Sequence, residues 1–199
     1  MKIKNKKDLS LILSSLEKIS EPKVLLEQYS TPSDIASDIL FLAMDDIKDK
    51  IVADFGCGNG IFAIGAAILG AKKVYCIDID KEMINIARKN AEKLILELEY
   101  LNMDISNFNI KVDTIIENPP FGYQLRGADL PFIEKSIEIS NKFYILYDSK
   151  ARLHFIRILD GKGTILMEKN YKFSLPYTFK FHREQMKEME VTLFVVKVV

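Results

Sequence analysis

Asn118-Pro119-Pro120-Phe121 concentrates more usable chemistry than any other four neighbours in this chain. The prolines fix φ and carry no backbone N–H, so the carbonyls around them can only accept hydrogen bonds. Asn118 adds a side-chain carbonyl and Phe121 a flat apolar face. Such a set suits a planar group bearing an amine: acceptors for its N–H bonds and a ring to stack on. The exocyclic amine of a nucleobase has that form, and so does a glutamine amide. Asn-Pro alone also makes a common turn. Here it follows the apolar run 112–116, and open α/β sheets build their sites at the C-terminal ends of strands.

A second cluster lies upstream. Asp54-Phe55-Gly56-Cys57-Gly58-Asn59-Gly60 follows the strand-like Ile51-Val52-Ala53 and precedes an apolar stretch, Ile61 to Ala71, that reads as a helix. Alternating glycines let the backbone turn sharply and approach a ligand where a Cβ would clash. The helix start offers unpaired N–H groups and a positive dipole end. The strand-like run 74–78 then ends on Asp78, 20 residues after Gly58, where a βαβ nucleotide fold places an acid on ribose hydroxyls. The spacing is not G-x-G-x-x-G, which argues against a pyrophosphate cradle. A tight turn with Asp78 as a helix cap is the alternative. A strand before, a helix after and an acid at the next strand end favour a ligand-binding loop.

The glycine loop, the acid and the later Asn-Pro-Pro-Phe together resemble class I S-adenosylmethionine-dependent methyltransferases that act on amino nitrogens. Three further segments are similar to the small archaeal and eukaryotic methyltransferases that modify adenine N6 in small-subunit ribosomal RNA. They are Pro22-Lys23-Val24-Leu25-Leu26-Glu27-Gln28-Tyr29-Ser30-Thr31, Asp129-Leu130-Pro131-Phe132 and Phe179-Lys180-Phe181-His182-Arg183. The resemblance runs in order from about Leu9 to the end of the sequence.

That resemblance implies the cofactor S-adenosylmethionine, held by Asp54, Gly56, Gly58, Asn59, Gly60 and Ile61 in the loop. Asp78 would bind the ribose, Asp104 with Ile105 the adenine, and Gln28 and Thr31 would close over the cofactor. Asn118, Pro119, Pro120 and Phe121 become the catalytic set, with no metal; Tyr123, Lys180, His182 and Arg183 become substrate contacts. An adenine amine is a weak nucleophile because its lone pair is delocalised into the ring. Hydrogen bonds to Asn118 and to the Pro119 carbonyl would favour a pyramidal nitrogen aimed at the methyl group, and the base must be unpaired or flipped to reach them. The resemblance also implies a small zinc-ribbon activator on a sheet edge, with Leu98 to Leu101 as the exposed edge strand. One departure stands out. Where the family carries a His-Lys pair after its fifth strand, this chain has Tyr147-Asp148, which leaves Lys150 and Arg152 as substitutes.

The elements needed to position these residues are legible. Leu9 to Ile19 reads as an amphipathic helix, and Thr31-Pro32-Ser33-Asp34 as a helix start with Thr31 as N-cap. Helical runs at 60–69, 81–96 and 130–140 alternate with strand-like runs at 51–55, 74–78, 98–101, 112–116, 143–147, 163–168 and 191–198. They predict an α/β class I methyltransferase fold: a Rossmann-like, seven-stranded, mostly parallel sheet ending in an antiparallel hairpin. A single domain over 1–199 is expected, with a helical segment at about 8–45 before a core sheet at about 50–199.

Composition narrows the function classes. Hydrophobic residues are 48% and charged residues 28%, which excludes disorder as the default. No apolar run spans a bilayer and no signal-peptide pattern opens the chain, so a cytoplasmic protein is expected. Cys57 and Cys76 form no metal pattern and read as reduced thiols. Net charge is zero, which argues against a protein that coats nucleic acid through its whole field. Local patches can still hold RNA. Lys172, Lys180, His182 and Arg183 interleave with Tyr171, Phe173, Tyr177, Phe179 and Phe181, a pattern suited to unpaired bases and phosphates, whereas Lys2, Lys4, Lys6 and Lys7 read as a solvated terminus. The alternatives are transfer to another amino nitrogen (DNA adenine, guanine N2 or a protein glutamine) or a non-catalytic, cofactor-binding scaffold for RNA or a partner.

Overall fold

The computed structural model of the chain describes residues 3–175 and 187–199. In chain order its helices are α1 (Lys6–Ser14), α2 (Ser33–Leu42), α3 (Met44–Ile47), α4 (Ile61–Ile68), α5 (Lys81–Lys93), α6 (Leu130–Ile139) and α7 (Arg152–Leu159). Its strands are β1 (Ile51–Phe55), β2 (Lys73–Asp78), β3 (Glu99–Asn102), β4 (Val112–Glu117), β5 (Ser140–Asp148), β6 (Gly163–Leu175) and β7 (Lys187–Val198). They form one seven-stranded sheet in the order β3-β2-β1-β4-β5-β7-β6. The first five strands are parallel, and β7 pairs antiparallel with both β5 and β6. This is the predicted class I architecture with its C-terminal hairpin.

The inner parallel strands β1, β2, β4 and β5 are largely buried, as βαβ crossovers require, whereas the edge strand β3 has no buried residue. One apolar layer gathers Leu9, Ile39, Leu40 and Ile64 from α1, α2 and α4 against Val52 and Ile116. The other packs Phe108, Ile133 and Phe155 against Phe55, Ile115 and Phe194. Gly65 of α4 marks the closest helix approach. A Cβ there would lie 2.2 Å from Leu40 Cδ1, and Leu40 is fully buried. Gly65→Val should therefore lower unfolding stability by about 2–3 kcal/mol. Urea titration would read this directly, and an unchanged midpoint would mean that α2 yields freely.

Several elements depart from their predicted form. α1 stops at Ser14 instead of reaching Ile19; the Ser14 and Ser15 hydroxyls bond back to the Leu11 and Ile12 carbonyls at 2.7 Å. α2 begins at Ser33 with Pro32 as its cap residue, so Thr31 lies outside the helix and its hydroxyl serves another purpose. α7 occupies a stretch for which the sequence predicts no element. Cys57 and Cys76 are not separate thiols: they form a disulfide with Cα atoms 5.6 Å apart. The glycine loop folds back over β2, where Gly56 and Cys57 both donate N–H bonds to the Ile77 carbonyl, at 2.9 and 3.0 Å. Among the described residues, no helix is long and apolar enough to cross a membrane.

Candidate functional site

β1 delivers Asp54, and the chain then turns through Gly56, Gly58 and Gly60, with φ of 67°, 54° and 86°. These are left-handed conformations that strain any side chain. Asp54 is buried, and its Oδ2 accepts the Ala63 N–H at 2.8 Å, placing the carboxyl on the first turn of α4. Burial nevertheless pushes its pKa up to about 8; the helix bond opposes that rise and the nearby Asp78 adds to it. Asp78 ends β2. Its Oδ2 accepts the Gly58 N–H at 3.0 Å and its Oδ1 the Asp80 N–H at 2.8 Å. It thus holds the middle glycine of the loop and keeps further lone pairs for a ligand.

β4 ends on Glu117, and Asn118 follows at the C-terminal edge of the sheet beside the glycine loop. The Asn118 Nδ2 donates to the Thr31 hydroxyl at 3.1 Å. Its Oδ1 is buried and has no hydrogen-bond partner. An unpaired buried acceptor is costly, and native structures retain few. Thr31, Asp54, Gly56, Gly58, Asn59, Ile61 and Asn118 all line one recess of about 30 Å³. Residues far apart in the sequence thus meet around one recess that Asn118 borders. Pro119 is buried, and the half-buried Phe121 meets Tyr123 edge to face, with ring centroids 6.2 Å apart.

The loop after Phe121 is tied down by crossed tyrosine–aspartate bonds. Tyr123 donates its hydroxyl to Asp148 at the end of β5 (2.5 Å), and Tyr147 of β5 donates to Asp129 in the loop. The Tyr147-Asp148 departure therefore has a structural role. Arg152 is no free substitute for the family's cation, because Glu168 holds it through two 2.7 Å bonds.

Other predicted contacts are not brought to the recess. Gln28 donates to Asp80 at 2.8 Å and so helps dock the N-terminal segment on α5. Asp104 is exposed after β3, with its Oδ1 accepting from the Ser106 N–H and hydroxyl, while Ile105 is buried beside it. Gly60 serves by packing, since a Cβ there would meet Ala87 of α5 at 3.0 Å. The Tyr171 hydroxyl donates to Asp38 at 2.6 Å and so ties that ring to α2. Tyr177, Phe179, Lys180, Phe181, His182 and Arg183 lie outside the described residues.

Two residues escape sequence reasoning. Asn90, fully buried on α5, donates to the Asn59 carbonyl at 3.0 Å and accepts the Glu17 N–H at 2.8 Å. A polar residue on the apolar face of an amphipathic helix is the signal that would have found it. Glu27 is the other. Among the described residues, no cluster of three or more His, Cys, Asp or Glu could hold a metal ion.

Behind Asn118, Glu117 is buried with Oε1 on the Ser136 hydroxyl at 2.9 Å and Oε2 unpartnered. Burial raises its pKa well above the usual value, and Asp54 raises it further. Both acids release their protons near pH 4 when unfolded and only at higher pH when folded. Across that window the native state holds more protons than the unfolded state, so stability falls as pH rises. Glu117→Gln should therefore raise the urea midpoint at pH 8 and have less effect at pH 5. An equal change at both pH values would count against this assignment.

Comparison with known proteins places the fold and site in a family. The sequence model of the methyltransferase small domain matches residues 29–142. A protein of Methanocaldococcus jannaschii is 36% identical, covering 95% of this chain and 92% of its own length. The Danio rerio rRNA N(6)-adenosine-methyltransferase METTL5 is 34% identical, covering 93% and 95%. A crystal structure of a candidate RNA methyltransferase from Pyrococcus horikoshii superposes over the full length of both chains, with a TM-score of 0.91 and 36% identity. The chain belongs to the methyltransferase small-domain family.

Proposed function

We propose that the chain transfers a methyl group from S-adenosylmethionine to the N6 amine of an unpaired or flipped adenosine in structured RNA, with small-subunit rRNA as the substrate. The observation that carries this reading is the orphaned Asn118 Oδ1, a buried acceptor on a residue that lines the recess beside the glycine loop. The zebrafish relative is named for the same reaction on rRNA.

The residues present fit the cofactor. The left-handed glycines leave room for close backbone approach, and Asp78 keeps lone pairs for ribose hydroxyls. Asp104, whose Oδ1 is engaged by Ser106, keeps its second oxygen for an adenine amine. When bound, the cofactor supplies a methyl group on a sulfonium, already activated for transfer. The chain does the positioning. Thr31 fixes the Asn118 amide, so that Oδ1 and the Pro119 carbonyl accept the two amine hydrogens of the target base. Phe121 stacks on the base, with Tyr123 extending the wall. Asn118 has no basicity to remove a proton; it orients the nitrogen, and the proton leaves to water after the new C–N bond forms.

A zinc-ribbon activator on the β3 edge belongs to this proposal. β3 is an outer strand of the sheet, the Tyr100 hydroxyl is buried without a partner, and Ile95 just ahead of the strand is 93% exposed. These features support a covering chain there.

The test is transfer of labelled methyl to small-subunit rRNA, with and without a zinc-ribbon protein, followed by nucleoside analysis. N6-methyladenosine is expected. Label found only in DNA or in protein glutamine would overturn the substrate assignment.

A further inference from the structure

The Asn118–Phe121 loop cannot secure itself. Pro119 and Pro120 bring no backbone donors, and Gly122 and Gly127 in its continuation sit at φ of 80° and 82°. The first N–H after the prolines belongs to Phe121, and it donates to Glu27 Oε2 at 2.7 Å. The Gln124 N–H donates to Glu27 Oε1, also at 2.7 Å. One carboxylate therefore clamps both sides of the turn that carries Phe121. Bonds to an ionised acceptor are short and about twice as strong as neutral ones.

Glu27 is itself built for this task. It follows a short 3-10 turn, Val24–Leu26, and adopts the left-handed conformation at φ 48°, ψ 44°. That is an uncommon place for a glutamate, whose side chain gains no local bond there. The backbone is held in it from both sides: the Glu27 N–H donates to the Val24 carbonyl at 3.0 Å, and the Tyr29 N–H to the Glu27 carbonyl at 2.9 Å. Only 6% of the residue is exposed. A buried carboxylate whose two oxygens both meet one loop, 94 and 97 residues away, is no surface ornament.

We infer that Glu27 is a positioning residue for methyl transfer: its carboxylate holds the Phe121 and Gln124 amides so that the Pro119 carbonyl and the Phe121 ring face the target amine. This rests on the reading of Asn118–Phe121 as the transfer loop. Glu27 touches neither reactant. It acts through the backbone of the residues that do, and small misplacements of such groups cost rate far more than affinity.

Glu27→Gln tests the clamp. The amide keeps one acceptor but presents an N–H pair to the second backbone donor. Hydrogen exchange at Phe121 and Gln124 should accelerate on the order of 10-fold or more, while amides of β1 and β4 keep their protection. With rRNA as substrate, kcat should fall on the order of 100-fold, with cofactor Kd and RNA KM within about threefold. Glu27→Asp keeps the charge but withdraws it by one methylene, and should shift both readouts in the same direction by less. Uniform loss of protection across the chain, or parental kcat in Glu27→Gln, would overturn the inference. If the parent chain methylates no RNA, the functional reading falls while the exchange result still decides whether Glu27 holds the loop.

Discussion

Asn118→Ala should lower kcat for methyl transfer on the order of 10²–10³-fold and leave cofactor Kd within about threefold. Asn118 Oδ1 is a buried side-chain acceptor with nothing to accept, so its value is realised only when an amine occupies the site. Truncating the side chain costs the folded chain little, because among the described residues its one hydrogen bond is the 3.1 Å contact from Nδ2 to Thr31. Single-turnover transfer beside calorimetric titration of the cofactor separates the two quantities. Equal loss of binding and turnover would mean that Asn118 belongs to the cofactor cradle. Undiminished turnover would remove it from the reaction altogether and send the search for the transfer residues elsewhere in the site.

The complementary result is expected at Asp78. Asp78→Ala should weaken the cofactor on the order of 100-fold, since two losses coincide. The ribose hydroxyls lose a charged acceptor, and the Gly58 N–H loses the carboxylate that fixes the loop. Turnover at saturating cofactor should recover most of its parental value, the opposite of the Asn118 pattern. Calorimetry gives the affinity and a cofactor titration of the rate gives the recovery. A chain that binds normally but turns over slowly would move Asp78 from binding to transfer.

The sheet was legible because buried parallel strands are continuous apolar runs, and β1 occupies the residues its run predicts. Boundaries failed where side chains compete for backbone. Ser14 and Ser15 end α1 early, and Thr31, cast as a cap, leaves α2 to hold Asn118. α7 went unseen because its eight residues bury only Phe155 and Leu159, too little for a periodic signal. The outer hairpin runs further than its apolar runs suggest, with β6 extending to Leu175 through Lys169, Asn170 and Lys172. Within the site, the glycine loop and Asp78 could be proposed from spacing, whereas Asp104 came from the family resemblance. Glu27, Asn90 and the Cys57–Cys76 bridge could not, since each depends on a partner that only the fold brings near.

The N-terminal segment also sets an order of events during synthesis. Glu17 must wait for Asn90, 73 residues later, and Glu27 for Phe121 and Gln124, later still. At about 5–20 residues per second, the ribosome leaves Glu27 without its partners for on the order of 5–20 s. By then β1, β2, α4 and α5 have all been made, with Gln28 able to reach Asp80 and Asn90 able to reach Asn59. A nascent chain can thus build its glycine cradle well before it can close the loop that presents an acceptor to an amine.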